Sequence, residues 1–285
     1  MTADQPNRTK GQNGASPDRL RAHYELEKRW AGKLRAATRQ ERQALLSVAY
    51  QEVACFVGQV APSEERVRAR RRHVANTVRY LSRFLNANST FCEIGPGDCL
   101  VVLEVAKCVK RAYAVDIERE KGQSVEGPSN YTLLVSDGVS IPLPPQSVDV
   151  VFSNSVMEHI HPQDAVDQLA NICAALRPGG VYICITPNRL SGPHDVSVAF
   201  DREATGFHLK EYTAVELASL FKRAGFTKNL VLVGARGRYV RLPMFIIRCM
   251  EWFLEVLPYS IRRPVARSLP IALLLGIRMV GRKPL

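Results

Sequence analysis

Tryptophan occurs only twice in this chain of 285 residues, and aromatic residues together make up 7% of it. No stretch reaches the roughly 18 apolar residues of a membrane span. The nearest, LPIALLLGIRMV at 269–280, is short and interrupted by Arg278. The opening MTADQPNRTKGQNGASPDR lacks an apolar leader core, so secretion is not expected. Seven cysteines are odd in number, irregularly spaced and never arranged as Cys-x-x-Cys. That pattern argues against zinc or redox use and predicts no metal site. Most sit in apolar runs, where a reduced cysteine behaves as a small hydrophobe, so a reducing cytoplasm is expected. No internal repeat is present.

The chain is 46% hydrophobic and 23% charged, which supports a sizeable core without staples. Its formal net charge is +12. Two readings stand: solubility, or an anionic partner such as nucleic acid, a phospholipid surface or a phosphorylated substrate. The charge is concentrated late, with ten Arg/Lys against two Glu over 236–285, a local net of +8.

Residues 1–17 have the composition of a disordered tail. From there to residue 87 the periodicity is helical and predicts a cap or lid. Two helices break near Ala37–Arg39, and a third covers 62–85 with Ser63 as N-cap and Glu64 and Glu65 in its first turn. Its basic cluster, Arg68, Arg70, Arg71 and Arg72, is a solvated face or an anion-binding patch. Over 88–285 apolar strand runs alternate with helices, which argues for a parallel sheet covered on both faces. Strands are expected at Thr90–Ile94, Ala112–Asp116, Tyr131–Val135, Val148–Phe152, Val181–Thr186 and Leu230–Val233. Helices are expected at Cys99–Val109, Ile117–Gly122, Ala165–Leu176 and Thr213–Ala224. A helical insertion at about 240–275, broken at Pro258 and Pro264, precedes a last strand in IRMVGRKP.

The stretch FCEIGPGDCL at 91–100 sets an acid two residues ahead of Gly95-Pro96-Gly97 at the end of the first strand. Glycines there let backbone turn sharply and approach a ligand at the carboxyl end of a parallel sheet. Asp116 ends the next strand, where an acid accepts from both hydroxyls of a ribose. Asp137 and Gly138 follow the third strand, where an acid accepts from the exocyclic amine of adenine. A dinucleotide fits poorly, because Glu93 and Asp98 place carboxylates where a pyrophosphate would sit. Acids suit a cationic ligand instead, such as a nucleoside with an amino-acid tail and a sulfonium.

Taken together, CEIGPGDC, AVDIE, VSDGVSIPLPPQSVDVVFSNSVMEHI and LRPGGVYICITPN resemble the class I S-adenosylmethionine-dependent methyltransferases, most nearly the type 11 group. The resemblance covers roughly 88–235 plus the terminal strand. It implies a Rossmann-like α/β fold with a seven-stranded sheet, order 3-2-1-4-5-7-6, the last strand antiparallel. It implies S-adenosyl-L-methionine as cofactor, with Glu93, Gly95 and Gly97 at the methionine end and Asp116 with Ile117 at the ribose. Asp137 and Gly138 fall on the adenine side, and Asn154 lines the cofactor. The family's loop often carries a third glycine where this chain has Cys99.

A base is needed only if the acceptor must lose a proton. His194, beside Asp195 in SGPHDVS, is the preferred candidate, and His159 is the second, with helix-start packing as its alternative. His208 is read as orienting the start of the following helix. Phe200, Phe207 and Tyr212 either line an apolar pocket or pack in the core. The loop 188–213 is long enough to be functional and, with the N-terminal helices, is expected to close over the acceptor. The expected acceptor is a small or lipid-linked metabolite, with O-methylation preferred; an RNA methyltransferase and a non-catalytic cofactor-binding regulator are the alternatives. Nucleic acid is disfavoured, because strand four ends in SNSVMEH rather than in the Asn/Asp-Pro-Pro-aromatic motif of base-amine methyltransferases. The basic, apolar C-terminal helices suit either peripheral contact with anionic lipid or a homodimer interface.

Overall fold

The computed structural model describes residues 16–58, 63–117, 127–235 and 238–285. Eight strands form one sheet: β1 (Thr90–Ile94), β2 (Arg111–Asp116), β3 (Tyr131–Val135), β4 (Val148–Asn154), β5 (Leu176–Thr186), β6 (Lys228–Ala235), β7 (Arg238–Leu242) and β8 (Ile277–Arg282). Their order is β3-β2-β1-β4-β5-β8-β6-β7. The first five run parallel, and β8 lies antiparallel between β5 and β6. All five residues of β1 are buried, as a central strand covered on both faces requires.

One face packs on helices α5 (Ala165–Ala175) and α6 (Ala214–Arg223), through Leu169, Ile172, Leu217 and Phe221. Tyr182 of β5 stacks on Phe221 at 5.3 Å between ring centroids. The other face packs on α3 (Glu64–Leu81) and α4 (Leu100–Ala106), through Tyr80, Leu81, Val102 and Val105. Each such fully buried side chain contributes about 1.5–3 kcal/mol of transfer free energy. Caps set the helix starts where the sequence places them: Ser63 Oγ accepts from Arg66 N, and Thr213 and Glu216 close a reciprocal capping box.

Of the two N-terminal helices, α1 (Pro17–Ala36) and α2 (Arg39–Gly58), α2 reaches the carboxyl ends of the strands through Leu46 and Tyr50, and α1 packs on α2 and on the loop around Phe200 and Phe207. Trp30, Ala31, Leu34 and Ala49 share a small core with Phe207 and Leu209. Arg42 of α2 makes a buried bidentate pair with Asp164, Nε to Oδ2 at 2.8 Å and Nη2 to Oδ1 at 2.9 Å.

The sheet departs from the seven-stranded expectation by one strand. The run Tyr239-Val240-Arg241-Leu242, stopped by Pro243, pairs antiparallel with β6 and forms the sheet edge as β7. The helical insertion therefore begins later than residue 240. It comprises α7 (Met244–Val256), α8 (Tyr259–Arg267) and α9 (Leu269–Leu275). Pro258 ends a helix as expected, but Pro264 lies inside α8. In LRPGG, between the helix expected to end at Leu176 and the strand expected from Val181, Leu176 already pairs with Val148, so β5 starts earlier and Gly179, at φ +74, lies inside it. Most of the helix expected at Ile117–Gly122 lies outside the described residues.

Candidate active site

The loop after β1 alternates left-handed residues: Gly95 at φ +60, Gly97 at φ +59 and Cys99 at φ +60. Cys99, where the family often has glycine, takes the glycine-like conformation and opens α4. A Cβ on Gly95 would lie 2.6 Å from Val156 Cγ2, so this glycine is required for space as well as for φ. Beside the loop lies a cavity of about 300 Å³. Its lining includes Gly95, Gly97, Asp116, Ile117, Gly138, Asn154 and His159, seven of the ten residues singled out in the sequence. Leu46 and Tyr50 of α2 complete the wall, with Leu46 Cδ1 3.2 Å from the position of a Cβ on Gly138.

The other three stand elsewhere. Glu93 is 4% exposed beneath the loop, and its Oε2 has no hydrogen-bond partner. Burial pushes its carboxyl up to about 8, against the Val102 amide and Arg70, which pull it down. Asp137 folds into its own turn: Oδ1 accepts from the Val139 and Ser140 amides and the Ser140 hydroxyl, and Oδ2 from Gln43. Asp98 pairs with Arg70 and caps the Leu100 amide. The basic cluster on α3 thus serves in part to neutralise the glycine loop.

His194 belongs to a second cavity, of about 310 Å³, lined by Glu158, Thr186, His208 and Arg278 among others. Ser155, left-handed at φ +57, lines both cavities. Asp195 is not the partner of His194: its Oδ1 caps a short helical turn at Val196–Ala199 by accepting from Ser197 N. The partner is Glu211, whose Oε2 is 3.1 Å from His194 Nδ1 and whose Oε1 is 2.7 Å from His208 Nδ1. Although burial opposes it, hydrogen bonds from both histidines push the Glu211 carboxyl down to about 2. His208 is held above its ordinary value: burial acts to lower it, but the Glu211 bond and the Glu158 charge prevail. His159 is lowered by burial, and its Nδ1 donates to the Phe207 carbonyl at 2.9 Å. Glu158 is 1% exposed and accepts from the Thr186 hydroxyl at 2.9 Å.

Phe200, Phe207 and Tyr212 pack rather than line either cavity. Phe200 stacks on Tyr24, and Phe207 and Tyr212 are buried in the cores. Glu158, His208 as a cleft residue, Glu211 and Arg278 were not legible as site residues. The fold draws them from three separate segments, with His208 and Glu211 three positions apart in one loop.

The family described as a methyltransferase domain matches residues 66–230, and the chain belongs to it. With the glycine loop and the strand-end acid, this makes it a class I S-adenosylmethionine-dependent methyltransferase by family. A probable S-adenosylmethionine-dependent methyltransferase of Mycolicibacterium smegmatis is 41% identical over 86 residues, 30% of this chain and 31% of the relative. One from Mycobacterium tuberculosis (strain H37Rv) is 39% identical over 87 residues, 30% of this chain and 29% of that protein. The matches thus span under a third of either relative. Among solved structures, the methyltransferase complexed with the Haloferax volcanii Trm112 activator aligns with TM-score 0.53 at 18% identity, covering 76% of this chain and 92% of that one. A Thermotoga maritima S-adenosylmethionine-dependent methyltransferase aligns with TM-score 0.50 at 13% identity, covering 92% and 99%. These two likenesses are of fold.

Proposed function

We propose that the protein transfers a methyl group from S-adenosylmethionine to a small or lipid-linked acceptor, with an oxygen as the preferred target. The observation that carries this is the meeting of two cavities at Ser155, one lined by glycine backbone and a strand-end acid, the other by ionisable side chains.

The residues of the first cavity fit the cofactor. Asp116 is placed for ribose hydroxyls, Gly95 and Gly97 leave backbone bare for the methionine end, and Gly138 and Ile117 flank the adenine side. Glu93, buried with an unpartnered oxygen beneath the loop, is an acceptor in search of a donor, as the ammonium of an amino-acid tail provides. The Asp137 carboxylate is spent on its turn, so adenine contacts fall to Gly138 and its neighbours. Helix α2 roofs the cavity through Leu46 and Tyr50 and acts as the lid. Bound there, S-adenosylmethionine supplies an electrophilic methyl on a sulfonium.

In the second cavity Glu211 fixes the ring of His194 through Nδ1, leaving Nε2, 3.2 Å from Ser191 Oγ, as the proton acceptor for a hydroxyl. The Arg267 guanidinium donates to the Ser191 and Pro193 carbonyls and steadies this loop. A lipid-linked acceptor is supported by the insertion, where Phe245, Trp252, Phe253, Ile261 and Leu269 are all more than half exposed in a segment that also carries Arg248, Arg262 and Arg263.

Calorimetry with S-adenosylmethionine, S-adenosylhomocysteine and NAD tests the first half. Micromolar binding of the first two and none of NAD is expected, and binding of NAD alone rejects the reading. Labelled methyl incorporation into lipid, aqueous and RNA fractions of a cell extract tests the second. Label confined to RNA rejects the acceptor class.

A further inference from the structure

Where the two cavities meet, Glu158, His159 and His208 each present a ligand atom, and these three atoms lie within 4.8 Å of one another. We propose that they bind a divalent first-row transition metal. This goes against the sequence reading, which predicts no metal from the cysteine pattern alone; here Glu158 and His159 are neighbours, and His208 is 49 positions on.

The argument rests on what holds each ligand. Metal-bound histidines characteristically donate their other ring nitrogen to a carboxylate or backbone carbonyl, and ligating carboxylates are themselves hydrogen-bonded. All three conditions are met. His159 Nδ1 faces the Phe207 carbonyl at 2.9 Å, His208 Nδ1 faces Glu211 at 2.7 Å, and Glu158 Oε2 accepts from Thr186 at 2.9 Å. Both histidines keep Nε2, and Glu158 keeps Oε1. Two imidazoles and one carboxylate suit a first-row ion with positions left open. An ion about 2.1 Å from each ligand atom holds neighbours roughly 3–4 Å apart, so the cluster draws in by about an ångström on loading.

Charge points the same way. Glu158 is 1% exposed, and its hydrogen bond comes from a hydroxyl rather than a cationic side chain. A carboxylate buried in that way is stabilised by a cation beside it. A proton on His208 is the competing source of that charge, and it would exclude the ion. Glu158 and His208 also line the second cavity while His159 lines the first, so the open positions face the junction. An acceptor oxygen reaching the junction would take one of them and be polarised there. That last role rests on the methyltransferase reading; the metal site does not.

Chelator-stripped full-length protein is titrated with Co²⁺, followed by its visible absorption bands, and with S-adenosylhomocysteine by calorimetry. One Co²⁺ per chain is expected. His208→Asn and Glu158→Gln weaken it at least tenfold, and Thr186→Val, an isosteric change behind the ligand, weakens it about 10- to 100-fold. No saturable Co²⁺ binding to the natural chain overturns the site, as does unchanged affinity in Thr186→Val together with either ligand variant. S-adenosylhomocysteine bound without Co²⁺ removes the metal and leaves the methyltransferase reading standing. Co²⁺ bound without S-adenosylhomocysteine does the reverse.

Discussion

The two cavities that share Ser155 are made of different materials. Among the described residues the first is largely backbone and apolar wall, with Asp116 its one acid beside Asn154, His159 and Gln168. The second gathers Glu158, His194, His208 and Arg278, with Glu211 behind two of them. Shape and bare amides select a ligand in the one; protonation and charge do the work in the other. Damage to the first should therefore appear as lost cofactor affinity, and damage to the second as lost turnover.

The largest separation is expected from His194→Gln. Methyl transfer should fall by about 10²- to 10⁴-fold, while S-adenosylhomocysteine affinity stays within about twofold. Equal losses in both measurements would erase the contrast. Arg42→Ala strips the bidentate partner from buried Asp164, leaving it only half-exposed Arg39 at 3.8 Å, and should cost up to about 3 kcal/mol in chemical denaturation. Asp116→Ala should weaken calorimetric S-adenosylhomocysteine binding by about 1.5–3 kcal/mol, the worth of hydrogen bonds to a charged group; unchanged affinity would dissolve the site assignment.

Glu93 gives a pH signature. Its folded carboxyl, pushed up to about 8, holds a proton more tightly than the unfolded chain does. That contribution is complete below the unfolded pKa, near 4.5, and is lost as pH rises through about 8. The natural protein should lose stability between those limits, by at most about 1.4 kcal/mol per pH unit, and Glu93→Gln should flatten the profile. Smallest is Asp137→Ala. Loss of its turn should cost about 1 kcal/mol of stability and leave cofactor affinity nearly untouched, separating it from Asp116.

The first cavity was legible because its residues are local: a strand, its terminal acid and a glycine turn announce themselves within a few positions. Asp137 shows the limit of that signal. A strand-end acid serves a ligand or its own turn, and Ser140 three residues on is what decides for the turn. The second cavity was half legible. His194 and His159 stood out as titratable, but the partner of His194 lies 17 residues away, and its sequence neighbour Asp195 is used as a cap. Lettering along the chain cannot say which of two nearby acids a long loop will fold against a histidine. The extra strand β7 was present as a short alternating run and was lost in the apolar helices that follow it.

The core beneath α1 has a further consequence. Trp30 and Leu34 are covered by Phe207 and Leu209, and the Tyr24 hydroxyl donates to Asp201 at 2.6 Å. These contacts close a loop of about 177 residues, so α1 and α2 are made long before the residues they dock on, and such high-separation contacts slow folding. On the ribosome, the hairpin of α1 and α2 waits with a bare apolar stripe until residue 209 has emerged. A chaperone would meet this hairpin before the residues that cover it have been synthesised.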